Sequence, residues 1–251
     1  MLTTLMVLTS VLAATSTDFD HGHGQLNTVL SHYVADGLVD YAGLKADRAP
    51  LDAYLEAMGT VPLAAFQRWS KDEQLAFLIN VYNASTLKLI IDGYPVDSIK
   101  SLGSLVSSPW NKKSVQLFGK QISLDTLEHE IIRKNYVEPR VHFALVCAAL
   151  GCPILRNEAY VGERLGEQLK DQTRVFLHTD GKNRVDVEKK QLLLSPIFKW
   201  YRKDFEASAE TLAGFVAPYL EVQLPAGSLA DFDIRFTDYD WALNDQHGKK
   251  S

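Results

Sequence analysis

Between residues 70 and 92 the chain is apolar on almost every face a helix could present: Leu75, Phe77, Leu78, Ile79, Val81, Leu87, Leu89, Ile90 and Ile91. A helix with no broad wet face belongs in a core, so this pattern predicts a central buried helix. Its start is written as a capping box, Ser70-Lys-Asp-Glu73, and Gly93 and Pro95 should end it at Asp92. Ala76, Asn80, Asn83, Ala84 and Leu87 fall on one stripe of it. Two buried amides without partners would cost about 1–3 kcal/mol each. Asn80 and Asn83 therefore either fix the backbone of a neighbouring loop or line a polar site.

The segments around this helix alternate in period. Residues 26–35 carry Leu26, Val29, Leu30 and Tyr33 at helical spacing with Gly37 as a stop, 50–58 form a second short helix, and 61–69 read as a connector. Residues 115–118 and 121–123 predict a hairpin around Gly119-Lys120. Ser123 caps a helix over 124–133 that sets Glu128-His129 beside apolar Leu127, Ile131 and Ile132. The run 141–146 is apolar and of strand length, which predicts a buried strand delivering Cys147 to a turn that ends at Pro153. Beyond it come an amphipathic helix over 163–177, a hairpin of 185–187 with 192–194, a helix over 196–205 opened by Ser195-Pro196, a helix over 211–219, and a last strand within 233–241. No repeat or low-complexity linker divides the chain. The expectation is an α+β fold: a single domain over 26–245, its central buried helix packed on a small, mostly antiparallel sheet with surrounding helices.

Composition adds three constraints. The 251 residues are 46% hydrophobic and 23% charged, ordinary for a globular chain that can bury a large core. The net charge of −5 comes with scattered basic residues, which argues against nucleic acid as a partner; no other partner can be read. Residues 2–14 form an apolar stretch too short to span a bilayer, with a small-residue site at Ala14-Thr15-Ser16. Residues 1–16 are accordingly read as a signal peptide and 17–25, with His21 and His23, as a flexible mature N-terminus. That places the chain in the periplasm or outside the cell, with no membrane span in the mature chain.

Several of these blocks resemble one family. Asn80-Val-Tyr-Asn-Ala84 with Thr86-Leu87, Leu127-Glu-His-Glu-Ile131, Arg140-Val-His-Phe-Ala-Leu followed by Cys147 and Cys152-Pro, Leu194-Ser-Pro-Ile-Phe-Lys-Trp200, and Asp238-Tyr-Asp-Trp-Ala-Leu-Asn244 stand in the order of the family called domain of unknown function 547. Val146 and Glu138 depart from that pattern, where Asn and Asp are expected. The resemblance carries no established reaction. Relatives that join this domain to glutaredoxin-like modules associate it with thiol chemistry.

Three readings of the chemistry follow from the residues. Cys147 can be the nucleophile of a thiol acyl-transfer or hydrolytic enzyme, with His142 or His129 as base and Glu128 orienting it, and with Asn80, Asn83 and Arg140 binding substrate. On a continuous strand His142 and Cys147 would face opposite sides, which favours His129 as the partner. Alternatively Cys147 and Cys152 form a disulfide in a structural or binding protein, as export and their short spacing favour. A metal held by His129, His142, Glu128 and a cysteine matches no compact ligand spacing, so neither metal nor cofactor is expected.

Overall fold

The computed structural model describes residues 19–104, 107–220 and 228–248; the segment read as a signal peptide lies outside them. Helix α1 (Gly24–Tyr33) leads into a hairpin of β1 (Val34–Ala35) and β2 (Leu38–Val39). Its turn is Asp36-Gly37, both at positive φ (51° and 79°). An Asp-Gly pair is the preferred type I′ turn, so Gly37 closes a hairpin and does not merely stop a helix. Helices α2 (Tyr41–Ala46) and α3 (Ala49–Thr60) follow, and the stretch expected to be a plain connector contains one helical turn, α4 (Leu63–Phe66).

From Phe19 onward the segment expected to be flexible is packed. Phe19 stacks on Trp69 with ring centroids 4.5 Å apart, and His23 is 3% exposed with its Nδ1 2.9 Å from the Tyr54 hydroxyl. Burial lowers the His23 pKa from 6.5 to about 4. The unfolded chain therefore takes up a proton that the folded chain refuses, and stability should fall as pH drops from 6.5 towards 4, with nothing lost above that window. Burial pushes His142 down as well, in the same sense. Urea midpoints measured across this range should fall less steeply in His23→Asn, a replacement that tolerates the left-handed φ of 49° found there. An unchanged slope would contradict the assignment to His23.

The buried helix is α5 (Lys71–Gly93). Ser70 Oγ accepts from the Glu73 N–H at 3.2 Å while Glu73 Oε2 accepts from the Ser70 N–H at 2.7 Å, so the capping box is complete. By length and composition α5 could cross a membrane, but 94% of its apolar window is buried inside the protein. The two amides on its stripe grip loops. Asn80 donates to Tyr160 O (2.7 Å) and accepts from Tyr160 N (2.9 Å). Asn83 donates to Ala144 O (2.9 Å) and accepts from Val146 N (3.0 Å). The Val146 contact is made by backbone, so it does not itself require the Asn expected at that position.

Strands β3 (Val115–Leu117) and β4 (Lys120–Ile122) pair antiparallel. Their turn is Phe118-Gly119, one residue earlier than the sequence suggests, because a type I′ turn takes its glycine at the second position. Next comes a π-wound stretch, Thr126–Ile132, ending in α6 (Arg133–Asn135), then α7 (Leu165–Leu177), β5 (Arg184–Asp186) and β6 (Gln191–Leu194). Helices α8 (Pro196–Trp200), α9 (Arg202–Ala209) and α10 (Leu212–Val216) precede β7 (Asp233–Phe236). Strand β6 pairs antiparallel with β5 and parallel with β7. The fold is thus α+β around a central helix, with its strands divided among three small sheets instead of one.

Three expectations fail in ways that shape the site. Residues 141–146 are not a strand: Pro139–Phe143 is a 3₁₀ turn whose first free N–H, that of Arg140, is taken by Glu138 Oε1 at 3.1 Å. A short apolar run cannot by itself separate a strand from another buried segment, and here the following backbone groups bond to Asn83. The helix over 124–133 is largely π-wound. The helix over 196–205 breaks at Tyr201 (φ −109°, ψ 23°), which leaves the helical path between α8 and α9.

Two apolar clusters fill the interior. The larger surrounds α5, and the smaller is aromatic, built on Phe143, Phe176, Phe198, Phe205 and Phe215. The turn at Pro139–Phe143 lies between them: Phe143 enters the aromatic cluster, while Val141, Ala144 and Leu145 enter the larger one.

Candidate functional site

With the 3₁₀ turn in place of a strand, the opposite-face objection to His142 disappears. His142, Cys147 and Cys152 line one cavity of about 350 Å³, together with Glu128 and His129. Its walls are aromatic: Tyr82, Trp110, Trp200, Tyr201, Tyr239 and Trp241. Trp200 stacks on Trp241 at 6.0 Å and Tyr239 lies against both, at 4.9 and 4.5 Å between centroids. Lys100 Nζ covers one side of the Trp241 ring at 3.6 Å.

The polar floor is held from several elements. Glu128, 7% exposed, accepts from the Tyr201 hydroxyl (2.6 Å) and the Tyr82 hydroxyl (3.1 Å). Burial, with the Glu128 carboxylate beside them, pushes both phenols well above their ordinary pKa, so they remain donors. The break at Tyr201 has a second consequence. Its ring stacks on His142 at 3.8 Å between centroids and 20° between planes. His142 Nε2 lies 2.8 Å from Asp204 Oδ2, and Arg133 clasps the same carboxylate through Nε (2.7 Å) and Nη2 (2.9 Å). Hydrogen bonds from His142 and Arg133 hold Asp204 far below the usual carboxylate range, whereas burial lowers His142. The consistent state is an ionised Asp204 accepting from Nε2–H of a neutral imidazole, whose Nδ1 then carries a lone pair. That Nδ1 is buried and has no hydrogen-bond partner.

Cys147 and Cys152 are joined as a disulfide, with Cα atoms 6.2 Å apart. The Tyr239 hydroxyl stands against both sulfurs, 3.1 Å from Cys147 Sγ and 3.2 Å from Cys152 Sγ. It is brought there by backbone pairing between segments far apart in sequence: Leu150 N donates to Ala242 O and Gly151 N to Asp240 O, each at 2.8 Å. A Cβ at Gly151 would stand 2.9 Å from Asp240 N and O, so only glycine permits this approach. Beside the bridge, Lys182 donates to Cys152 O, and burial lowers its ammonium to about 8.

Of the residues singled out in the sequence, Glu128, His129, His142, Cys147 and Cys152 meet at the cavity. His129 sits at its edge, accepting at Nδ1 from Arg133 Nη1 (2.8 Å) with Nε2 3.7 Å from Asp125. Asn80 and Asn83 are buried behind the loops they bond. Arg140 points elsewhere, pairing with Glu138 through Nε at 2.7 Å, and lies outside the cavity lining. Among the described residues, no group of three or more His, Cys, Asp or Glu side chains is placed to hold a metal ion. Sequence reasoning missed Asp204 and the aromatic wall. Trp200-Tyr201 and Tyr239-Asp-Trp241 were the available signal, since these paired aromatics stand at the end of α8 and in the segment that follows β7.

No curated protein and no solved structure matches this chain. One family does match, over a span that takes in α5, the π-wound stretch, the cysteine loop and α7 but stops before Trp200, Tyr201, Tyr239 and Trp241. Residues 66–177 match the family model described as Protein of unknown function, DUF547, and this is the family the chain resembles.

Proposed function

We propose that the chain is an exported small-molecule-binding protein whose ligand site is the aromatic cavity beside the Cys147–Cys152 bridge. The observation that carries this reading is the state of the site: its two sulfurs are bonded to each other, and Glu128 is already held by two tyrosines. A recess of about 350 Å³ with mostly apolar walls and a few fixed polar groups is the usual form of a small-molecule site. Export is supported by the apolar stretch at residues 2–14 and by a bridge suited to an oxidising compartment. It implies a mature N-terminus at residues 15–17, and Met1 on the recovered protein would contradict it.

Ligand at 100 times its Kd stabilises a fold by about 2.7 kcal/mol, which for a chain of this size raises Tm by about 5–10 °C. A thermal-shift screen of unreduced protein against a chemically mixed set of small molecules should find such a ligand, and Trp241→Ala should abolish its effect. Either a set without a single shift, or a shift that survives Trp241→Ala, would count against the cavity.

A second reading is favoured by one observation: His142, whose buried Nδ1 has no hydrogen-bond partner, lines the same cavity as Cys147. After reduction of the bridge, an Asp204-oriented imidazole could take the Cys147 proton, as thiol acyl-transfer enzymes require. The bonded sulfurs place this second.

A further inference from the structure

The cavity offers more than apolar walls, and its polar groups specify what they can receive. The Tyr82 and Tyr201 hydroxyls are directed at Glu128, so this end of the cavity presents an acceptor, the Glu128 carboxylate, with the His142 ring beside it. Both groups touch Tyr201, one through its hydroxyl and one through its ring face. His142 is 4% exposed, and its Nδ1 is the one buried side-chain nitrogen or oxygen, among the described residues, without a partner. A ligand that pairs with the Glu128 carboxylate must donate hydrogen bonds.

Charge narrows the class further. The lining contains two carboxylates, Asp125 and Glu128, and no Lys or Arg. The nearest guanidinium, Arg133, is matched by Asp204 in a two-point pair, and Lys100 stands over the Trp241 ring. A carboxylate-bearing ligand would meet like charge here. A neutral polyol could donate but would leave the acidic floor without a counter-charge. A protonated amine supplies donors and charge together, and the electron-rich faces of Trp and Tyr rings attract a cation.

Resting on the binding reading above, we propose that the ligand is a small primary amine, its ammonium set against Glu128 and its hydrocarbon part against Trp200, Tyr239 and Trp241. No covalent step is involved.

The test is tryptophan-fluorescence titration of the unreduced full chain at neutral pH with four probes of similar size: phenethylamine, 2-phenylethanol, 3-phenylpropanoate and glucose. Phenethylamine should bind at least about tenfold more tightly than the other three, the factor lost with one charge-assisted hydrogen bond. Glu128→Gln should remove that preference, and Glu130→Gln, an exposed residue paired with Lys134, should keep it. Should Glu128→Gln fail to fold, the comparison of amine with alcohol on the unaltered protein still decides. If the alcohol, the carboxylate or glucose binds as well as the amine, and Trp200→Ala weakens that binding, the amine assignment is overturned while the cavity remains a binding site. If no probe binds, the amine assignment fails together with the reading on which it rests.

Discussion

Asn83→Leu should destabilise the fold by about 2–6 kcal/mol, because it strips partners from two buried backbone groups at about 1–3 kcal/mol each. Leucine keeps the heavy-atom branching of asparagine and suits a helix, so no cavity opens and propensity contributes little. What is lost is the pair of bonds to Ala144 O and Val146 N, at 2.9 and 3.0 Å, in a region where Ala144 is 0% and Val146 4% exposed. These bonds also anchor the segment that carries Cys147 into the cavity wall. Urea denaturation of the variant should therefore show a lower midpoint, and Asn80→Leu should act similarly through Tyr160. A loss below about 1 kcal/mol in both variants would mean that the loops find other partners, against the census of buried polar groups in native folds.

The two asparagines also mark how far the sequence could be read. That they sit on the core helix and must be bonded followed from their place among Leu75–Ile91, and the capping box at Ser70 and the cap at Ser195 were equally plain, since each is a local pattern with a local partner. Whether the amides hold loops or substrate depended on residues 61 and 80 positions away, which no periodicity encodes. The same limit explains the site. Glu128, His129, His142 and the cysteines were recognisable from their chemistry, but Asp204 and Tyr239 reach them only because α8 breaks at Tyr201 and because Gly151 lets the 239–244 segment approach. The misread strand at 141–146 arose from apolar residues that face two different clusters, so the run was continuous for a reason unrelated to strand alternation.

The binding protein and the thiol enzyme require opposite states of the same sulfur. A disulfide-bonded Cys147 has no thiolate, so neither His142 nor His129 can activate it, whatever their geometry. A nucleophilic Cys147 would instead be a free thiol beside an imidazole, with a pKa drawn well below the ordinary value of about 8.5. The effect is close to all-or-none, and no adjustment of the surrounding cavity blurs it.

Iodoacetamide labelling of the purified, unreduced protein across pH, read by intact mass, separates the two. The expected result is no label at any pH until reductant is added, and a mass short of the reduced chain by the two hydrogens of one bridge. Labelling of one thiol without reductant, with a midpoint well below about 8.5 that returns to that value in His142→Ala or His129→Ala, would contradict the bonded state and make Cys147 a nucleophile.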